Sequence, residues 1–438
     1  MSQNNNIKIL LGITDENIFF SDDCIKEEKR KGIRCMTISA TLTYQPSSCA
    51  CCGVLFDSNI IKHGFLPTNI QLNKSANNLK TILRLRKQRY FCKHCQSAFT
   101  LETPLVNKHC VISNPLKLAI FNDATKKRSE VEIAHDHFVS HSTVNRFIHS
   151  HYSEKIVRLD SLPKVLCFDE FKSTKDAEGA MSFLFCNAKT GEIIDIIEDR
   201  TFNTLRKYFI RFTLEARLSV ERIVIDMYAP YMKLIKELFP NAKITLDKFH
   251  IVQLISRALN KTRIQIMKHH KEAYNKLKRY WKLLLKAETD LNSTDYYSFK
   301  CFKGKMTQKD VVDYLLTIDE ELRDSYIFYQ NLLFAIHQKK PDLFSHTLHN
   351  PPAKISGYLQ TSIDSLLKYL PYVLEIMRTT YTNGIIEGIN NQIKVIKRIA
   401  FGYRSFFHFK ARILIIHQYN PIKLERQMKK KQKESVAA

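Results

Sequence analysis

Two pairs of cysteines near the start of the sequence have the spacing of a metal site. Cys49 with Cys52 and Cys92 with Cys95 both have the form Cys-x-x-Cys. Two thiolates at this spacing can grip one tetrahedral ion, and two such turns complete a four-sulfur shell for structural Zn²⁺. Cys51 is an alternative ligand, although only Cys49 has the required spacing to Cys52. The competing interpretation is a set of buried free thiols. A redox pair would need a thioredoxin-like setting, which the sequence lacks.

Three carboxylates at distant positions form a second candidate site. Asp169 and Asp226 each end a very apolar predicted strand, where a carboxylate is costly to bury unless it binds a cation or finds donors. Glu387 lies on a predicted helix. Together they would form an oxygen-rich cage suited to Mg²⁺ or Mn²⁺, as phosphodiester cleavage or transfer by two metal ions requires. For either aspartate alone, a turn or cap at the strand end explains the residue equally well.

Neighbouring residues compete with this assignment or extend it. Glu170 competes with Asp169, but side chains alternate along a strand, which predicts that the two point to opposite faces. Asp247 follows a later predicted strand, and His250 begins the next helix. These two residues would support the active site, or Asp247 would simply cap that helix.

Residues 129–148 resemble a helix-turn-helix. Ser129 and Glu132 predict a capping box at the first helix. The predicted core between the two helices is Ile133, Ala134, Phe138, Val144 and Phe147. The side chains predicted to face a DNA groove are Ser142, Thr143, Asn145 and Arg146. A plain helical hairpin without DNA contact is the alternative.

Basic residues cluster beside both modules. On the strand that enters the second cysteine pair they are Arg84, Arg86, Lys87 and Arg89, and ahead of the helix-turn-helix they are Lys126, Lys127 and Arg128. We expect both groups to contact DNA phosphates, which the Arg and Lys side chains of DNA-binding proteins commonly do. An exposed, solvated strand face is the alternative for the first group.

Composition limits the classes of protein that need consideration. The 438 residues exceed the roughly 250–300 at which a single core stops growing, so several domains are expected. Lys and Arg number 68 against 43 Asp and Glu, and the net charge of +25 favours a polyanionic partner, with an unspecialised basic surface as the alternative. An odd count of 11 cysteines indicates reduced thiols and a cytoplasmic protein. Neither a secretion signal nor a membrane partner is expected.

Periodicity predicts a multidomain α/β plus α protein. After residue 163 the predicted elements run βββαβαβ with short connections, which indicates a mixed sheet. The charged stretch 26–31 is predicted to be the turn of an N-terminal hairpin. The predicted segments are 1–45 (helix and hairpin), 46–110 (zinc ribbon), 111–158 (helix-turn-helix), 159–250 (catalytic core, first part), 251–375 (helical insertion), 376–420 (third-carboxylate helix of the core) and 421–438 (basic tail).

Taken jointly, several motifs carry a family resemblance. They are the two cysteine pairs, Phe168-Asp169-Glu170, Ile225-Asp226-Met227 with Tyr231, Leu246-Asp247-Lys248-Phe249-His250-Ile251-Val252, and Asn383-Gly384 through Glu387-Gly388-Ile389-Asn390-Asn391. From about Ile9 to His417 the chain resembles a bacterial insertion-sequence transposase of the DDE class, of the ISL3 type with an N-terminal zinc ribbon. The knuckle Cys-Ala-Cys-Cys departs from the family pattern by one extra cysteine.

The resemblance implies an RNase H-like catalytic core interrupted by the helical insertion. It implies Asp169, Asp226 and Glu387 as the acidic triad, Mg²⁺ as cofactor, and binding of the terminal inverted repeats by the N-terminal modules. Because two DNA ends must be processed together, a homodimer or larger assembly on double-stranded DNA is expected. Two other functions are considered: a transcriptional regulator that uses the zinc ribbon and helix-turn-helix, and an RNase H-like nuclease without strand transfer.

Overall fold

The computed structural model describes residues 3–30, 32–152 and 157–418. The described residues form two compact units, one containing those up to 152 and from 393 onwards, the other containing 157–392. The predicted basic tail 421–438 lies outside the described residues. No described helix combines the length and the low polarity that crossing a membrane requires.

A five-stranded sheet forms the first part of the first unit. Its elements are α1 (Gln3–Leu11), β1 (Ile18–Arg30), β2 (Ile33–Leu42), β3 (Ile60–Gln71), β4 (Lys80–Cys92) and β5 (Ser97–Thr100). The strand order is β1-β2-β4-β3, with β5 paired to β4. Strand β2 runs parallel to β4, so the segments predicted as 1–45 and 46–110 share one sheet and one hydrophobic core.

The turn predicted at 26–31 is wrong for the residues that the structure describes there. Strand β1 continues through Arg30, and its charged side chains are mostly exposed rather than buried against the core. Arg34 of β2 forms an ion pair of 2.8 Å with Glu27 of β1. Opposite charges across neighbouring strands stabilise a pairing that a charge run alone would not predict.

Three helices follow in the first unit: α2 (Asn114–Ala124), α3 (Glu130–Asp136) and α4 (His141–Tyr152). The Ser129 hydroxyl accepts a hydrogen bond from the Glu132 N–H (3.1 Å) at the start of α3. The Glu132 carboxylate instead binds Arg128, so the predicted capping box forms only in part. Phe138 lies in the turn with φ of 53°, and Ile148 is a core residue of this helix group that the sequence pattern missed.

A second five-stranded sheet lies in the other unit. Its strands are β6 (Val165–Lys172), β7 (Met181–Asn187), β8 (Ile193–Ile197), β9 (Arg222–Ile225) and β10 (Lys243–Leu246), and its helices are α5 (Phe202–Phe209), α6 (Leu214–Leu218) and α7 (Ala229–Leu238). The order is β10-β9-β6-β7-β8. Strands β6, β7 and β8 are antiparallel, while β9 runs parallel to β6 and to β10. The predicted mixed sheet is confirmed, with α6 as an additional short helix.

Helices make up most of the remaining chain. They are α8 (Lys248–His269), α9 (Tyr274–Arg279), α10 (Trp281–Leu284), α11 (Gln308–Leu316), α12 (Glu320–His337), α13 (Pro341–His349), α14 (Gly357–Lys368), α15 (Leu370–Met377), α16 (Gly384–Ile399) and α17 (Phe406–Gln418). A two-stranded hairpin, β11 (Tyr297–Ser298) with β12 (Lys305–Met306), interrupts them. Residues of α8–α15 share a single hydrophobic core with the second sheet.

Candidate active site and cysteine cluster

A cavity of about 300 Å³ lies at the ends of β6 and β9 and beside the start of α8. Its wall consists of Asp169, Glu170, Asp226, Met227, Tyr228, Tyr231, His250, Gln253, Leu254 and Arg257. The parallel register pairs Cys167 with Val224, and the two aspartates each follow two residues later. Asp169 and Asp226 therefore occupy equivalent positions on neighbouring chain segments and line one cavity.

Two buried amides, Asn383 directly before α16 and Asn390 within it, contact the two aspartates. Asn383 Nδ2 donates to Asp226 Oδ1 (3.0 Å), and Asn390 Nδ2 donates to Asp169 Oδ2 (2.6 Å). Glu387 stands four residues after Asn383 and three before Asn390, spacings that place all three on one helix face. The Glu387 side chain is exposed. The sequence motif contains both asparagines, but no role was predicted for them, although their helical spacing around Glu387 was an available signal.

Burial and mutual repulsion dominate the electrostatics of the cavity. Burial raises the pKa of Asp169 to about 7, and the negative charges of Asp226 and Glu170 add to that rise. Burial also raises the pKa of Asp226, against the opposing influence of His250. Ionisation of both aspartates would place like charges close together in a partly desolvated cavity, a situation that a bound cation relieves.

Asp247 and His250 join this site rather than capping the helix. His250 Nδ1 lies 2.9 Å from Asp247 Oδ2 and 3.2 Å from Asp226 Oδ1, and the hydrogen bond with Asp247 raises the pKa of the imidazole. Asp247 occupies the N-cap position of α8, but its carboxylate accepts no backbone N–H of that helix and bonds His250 instead, so the interpretation that its side chain only caps the helix is wrong. One ligand atom from each of Asp226, Asp247 and His250 falls within 4.8 Å of the others.

Glu170 also lines the cavity, so the prediction that alternation would remove it is wrong. The Asp169 carboxylate accepts the backbone N–H of Glu170 at 2.7 Å, and both residues line the cavity. The carboxylate of Glu170 forms an ion pair with Arg200 and accepts a hydrogen bond from the Tyr231 hydroxyl (2.9 Å). Arg200, which sequence reasoning missed, thereby balances the charge of Glu170.

The four cysteines predicted to bind zinc are brought together in the first unit. Their sulfurs lie within 4.8 Å of one another, with Cys49 to Cys95 at 3.8 Å and Cys52 to Cys92 at 3.9 Å. Backbone N–H groups, that of Cys52 foremost, lower the pKa of Cys49 to about 6, which favours the metal-binding thiolate. Cys51 is exposed and lies outside this group, which we call the cysteine cluster.

Local structure explains how the cysteine cluster forms. Antiparallel pairing of β3 with β4 places Ile60 opposite Cys92, so the hairpin brings the second pair back beside the first. The first knuckle closes through a hydrogen bond from the Gly53 N–H to the Cys49 carbonyl (2.9 Å). Gly53 has φ of 77°, a conformation that glycine adopts without steric cost.

The residues predicted to contact DNA differ in how accessible their charges are. Arg84 and Arg86 are exposed on β4, and Arg86 lies over the Phe65 ring at 4.6 Å. Lys87 and Arg89 are half-buried, and burial lowers the pKa of Lys87. Among these four, Arg84 and Arg86 therefore present the most available positive charge.

The residues predicted to contact DNA in and before the helix-turn-helix also differ in how accessible their side chains are. Arg128 forms ion pairs with Asp123, Glu132 and Asp136, while Lys126 also pairs with Asp123 and Lys127 is exposed.

On α4, Asn145 donates to Glu130 (3.1 Å), and the Ser140 hydroxyl bonds to Ser142 and Thr143 (both 2.9 Å). Arg146 is exposed. Several of the predicted DNA contacts therefore already have partners within the unit.

Comparison with known proteins identifies the family. Residues 166–413 match the family model of ISL3-type DDE proteins, whose description is "Transposase". The chain belongs to this transposase family. Its cavity, its two half-buried aspartates and helix α16 all lie within the matched residues, so the resemblance found in the sequence is confirmed.

Two curated proteins are similar over parts of the chain. The transposase for insertion sequence element IS1001 of Bordetella parapertussis is 26% identical over 230 residues, or 51% of this chain and 53% of that protein. A Lactococcus lactis subsp. lactis protein named ATP-dependent protease is 38% identical over 126 residues, or 29% of this chain and 40% of that protein. The chain thus spans about half or less of these relatives' lengths, and the family assignment rests on the transposase match.

Proposed function

We propose that this transposase cleaves DNA at the ends of an insertion sequence and joins each freed 3′-hydroxyl to target DNA. The observation that supports the proposal most is the contact of both aspartates with amides of residues 383–390, at and just before the start of α16. Asn383 and Asn390 hold Asp226 and Asp169, and Glu387 stands between the two asparagines. This arrangement would hold three carboxylates from distant parts of the chain around one site, which we take to be an RNase H-like core.

The residues present suit a hard divalent cation, which we propose is Mg²⁺ or Mn²⁺ held by Asp169, Asp226 and Glu387. The side-chain oxygens of Asn383 and Asn390 are buried and accept no hydrogen bond from any described residue. Oxygen donors of this kind are what such cations prefer. When bound, the ion would stabilise the negative charge that develops on the phosphate during cleavage.

The residues around the cavity then have distinct roles. The two amides fix the carboxylates of Asp169 and Asp226 so that neither rotates when DNA enters. Asp247 orients His250, which in turn contacts Asp226, so we assign Asp247 and His250 as positioning residues. Water cleaves the first phosphodiester and the freed 3′-hydroxyl attacks the second, so no covalent link between protein and DNA is required.

The first unit would recognise the DNA. We propose that Zn²⁺ in the cysteine cluster stabilises the sheet that carries Arg84 and Arg86, and that Lys127 and Arg146 add contacts from the helix-turn-helix. Their partner would be double-stranded DNA, with the terminal inverted repeats bound first and target DNA later. A homodimer or larger assembly would hold both ends. The predicted division into segments and the cytoplasmic location stay predictions.

The test is cleavage of a labelled duplex containing the DNA that borders the gene, with and without Mg²⁺. Asp169→Asn and Glu387→Gln should each lower the cleavage rate at least about 1,000-fold, or roughly 4 kcal/mol, while DNA binding changes less than about threefold. Glu192→Gln, which alters an exposed glutamate of the same unit, is the matched control and should cleave normally. Metal-dependent cleavage that survives in Asp169→Asn would contradict the proposal.

The same reagents separate the two other functions. A transcriptional regulator would retain its activity in Asp169→Asn, because its α/β unit would only sense or dimerise. A nuclease without strand transfer would cleave the labelled duplex but give no joined product when a precut 3′-hydroxyl end is supplied with target plasmid.

A further inference from the structure

One part of the cavity wall belongs to the first turns of α8. His250, Gln253 and Arg257 follow one another at spacings of three and four residues, so they share a helix face, and all three line the cavity. The cavity therefore has an acidic side built from strand ends and a helical side that ends in a guanidinium.

Arg257 differs from Arg200, the other arginine near this site. Arg200 is neutralised by its ion pair with Glu170. Arg257 is exposed, and no carboxylate of the described residues lies within ion-pair distance of it. Gln253 likewise has no hydrogen-bonding partner among the described side chains. A guanidinium that lines an acidic cavity without pairing to its acids is available for an external anion.

We infer that Arg257, assisted by Gln253, binds a phosphodiester oxygen of the DNA strand that enters the cavity. The inference rests on the proposed function and specifies how its substrate is held. A phosphate placed between the two walls would meet the carboxylate side through a cation and the α8 side through Arg257. Arginine suits this task because its planar fork donates two parallel hydrogen bonds to one phosphate.

Two further features agree with this role. The cavity, at about 300 Å³, lies at the small end of the roughly 300–1,000 Å³ range of ligand sites, so it admits a nucleotide-sized group rather than a duplex. Lys261 stands one turn beyond Arg257 on α8, with its ammonium 5.6 Å from the centre of the Tyr358 ring. Lys261 thus adds a second exposed positive charge further along the same helix.

The decisive test measures DNA binding without cleavage. Fluorescently labelled pentathymidylate is titrated onto the full chain with Ca²⁺ in place of Mg²⁺, and hydrogen exchange locates the contact. Arg257→Ala should weaken binding about tenfold and remove the protection of the segment 248–260, and Arg257→Lys should restore part of both. Arg211→Ala removes an equally exposed arginine of the same unit and should change neither.

A second measurement identifies the phosphate. Arg257→Ala should slow single-turnover cleavage about 30-fold, and among single methylphosphonates placed along the strand beside the scission site, one should slow the wild type similarly but not slow the variant further. Additive losses, or Arg257→Ala binding pentathymidylate as the wild type does, would overturn the inference. Failure of the proposed function gives a different result: the wild type does not cleave, while the Arg257-dependent binding is still measurable.

Discussion

The cysteine cluster and the acidic cavity both gather groups that repel one another when ionised, but they differ in how completely the protein surrounds the charge. The cluster supplies four sulfurs within 4.8 Å, which fill a tetrahedral shell. The cavity supplies carboxylates on one side and leaves a space of about 300 Å³. A closed shell suits a structural ion, whereas an open one leaves room for a substrate.

The two regions also differ in what holds them. Hydrogen bonds within a few residues and one hairpin shape the cluster, and the Gly53 turn is an example. The cavity depends on amides of residues 383–390, far along the chain, that hold Asp169 and Asp226. We therefore expect that the loss of a cluster ligand lowers the stability of the first unit, and that the loss of a cavity ligand lowers activity.

The largest expected effect concerns the cysteine cluster. Cys92→Ser should remove zinc and lower the free energy of unfolding of the first unit by at least about 3 kcal/mol, because metal binding there is part of folding. Zinc content by mass spectrometry and thermal unfolding measure both. Cys110→Ser, a half-buried cysteine outside the cluster, should retain zinc and cost less than about 1 kcal/mol. Retention of zinc by Cys92→Ser would erase the contrast between the sites.

The next effect concerns the Asn390 amide, which contacts Asp169 in the acidic cavity. Asn390→Ala should lower the cleavage rate about 10–100-fold, or roughly 1.4–2.8 kcal/mol, because Asp169 loses the donor that fixes its carboxylate. Thermal unfolding should change little by comparison. Asn241→Ala, which removes an exposed amide of the same unit, should leave the rate unchanged. An equal loss of rate in both variants would show that Asn390 has no special role.

The third expected effect is a gain in the free energy of unfolding, whereas Cys92→Ser causes a loss. The folded-state pKa of Asp169 is raised to about 7, so ionisation of this residue destabilises the folded protein as the pH rises from about 4 through 7. Asp169→Asn should therefore stabilise the metal-free protein at pH 8, by about 1–2 kcal/mol after discounting for partial exposure. The gain should vanish below about pH 4. Urea unfolding with a chelator at several pH values measures it, and a less stable variant at pH 8 would contradict the assignment.

The smallest effect tests the register of the cluster. Cys51→Ser should leave zinc content unchanged and shift the free energy of unfolding by less than about 0.5 kcal/mol, because Cys51 is exposed and outside the four-sulfur group. Loss of one zinc equivalent would instead make Cys51 a ligand and reopen the choice between it and its neighbours.

Local patterns were sufficient for the parts of the molecule that form locally. The Cys-x-x-Cys pairs and the succession of strands and helices after residue 163 follow from spacing and apolar runs, which act over a few neighbours. Local charge was a poorer guide: the run at 26–31 belongs largely to a strand, because partners on β2 stabilise it from across the sheet.

The amino-acid sequence by itself determined which acids and thiols are available and that the family is a transposase family. Only the tertiary structure decided which groups meet. Asn383 and Asn390 donate to the two aspartates, Arg200 pairs with Glu170, and Arg257 has no carboxylate partner among the residues that the structure describes. Long-range contacts of this kind arise from the packing of elements that are distant along the chain, so residue types and spacing indicate candidates but do not fix which of them meet.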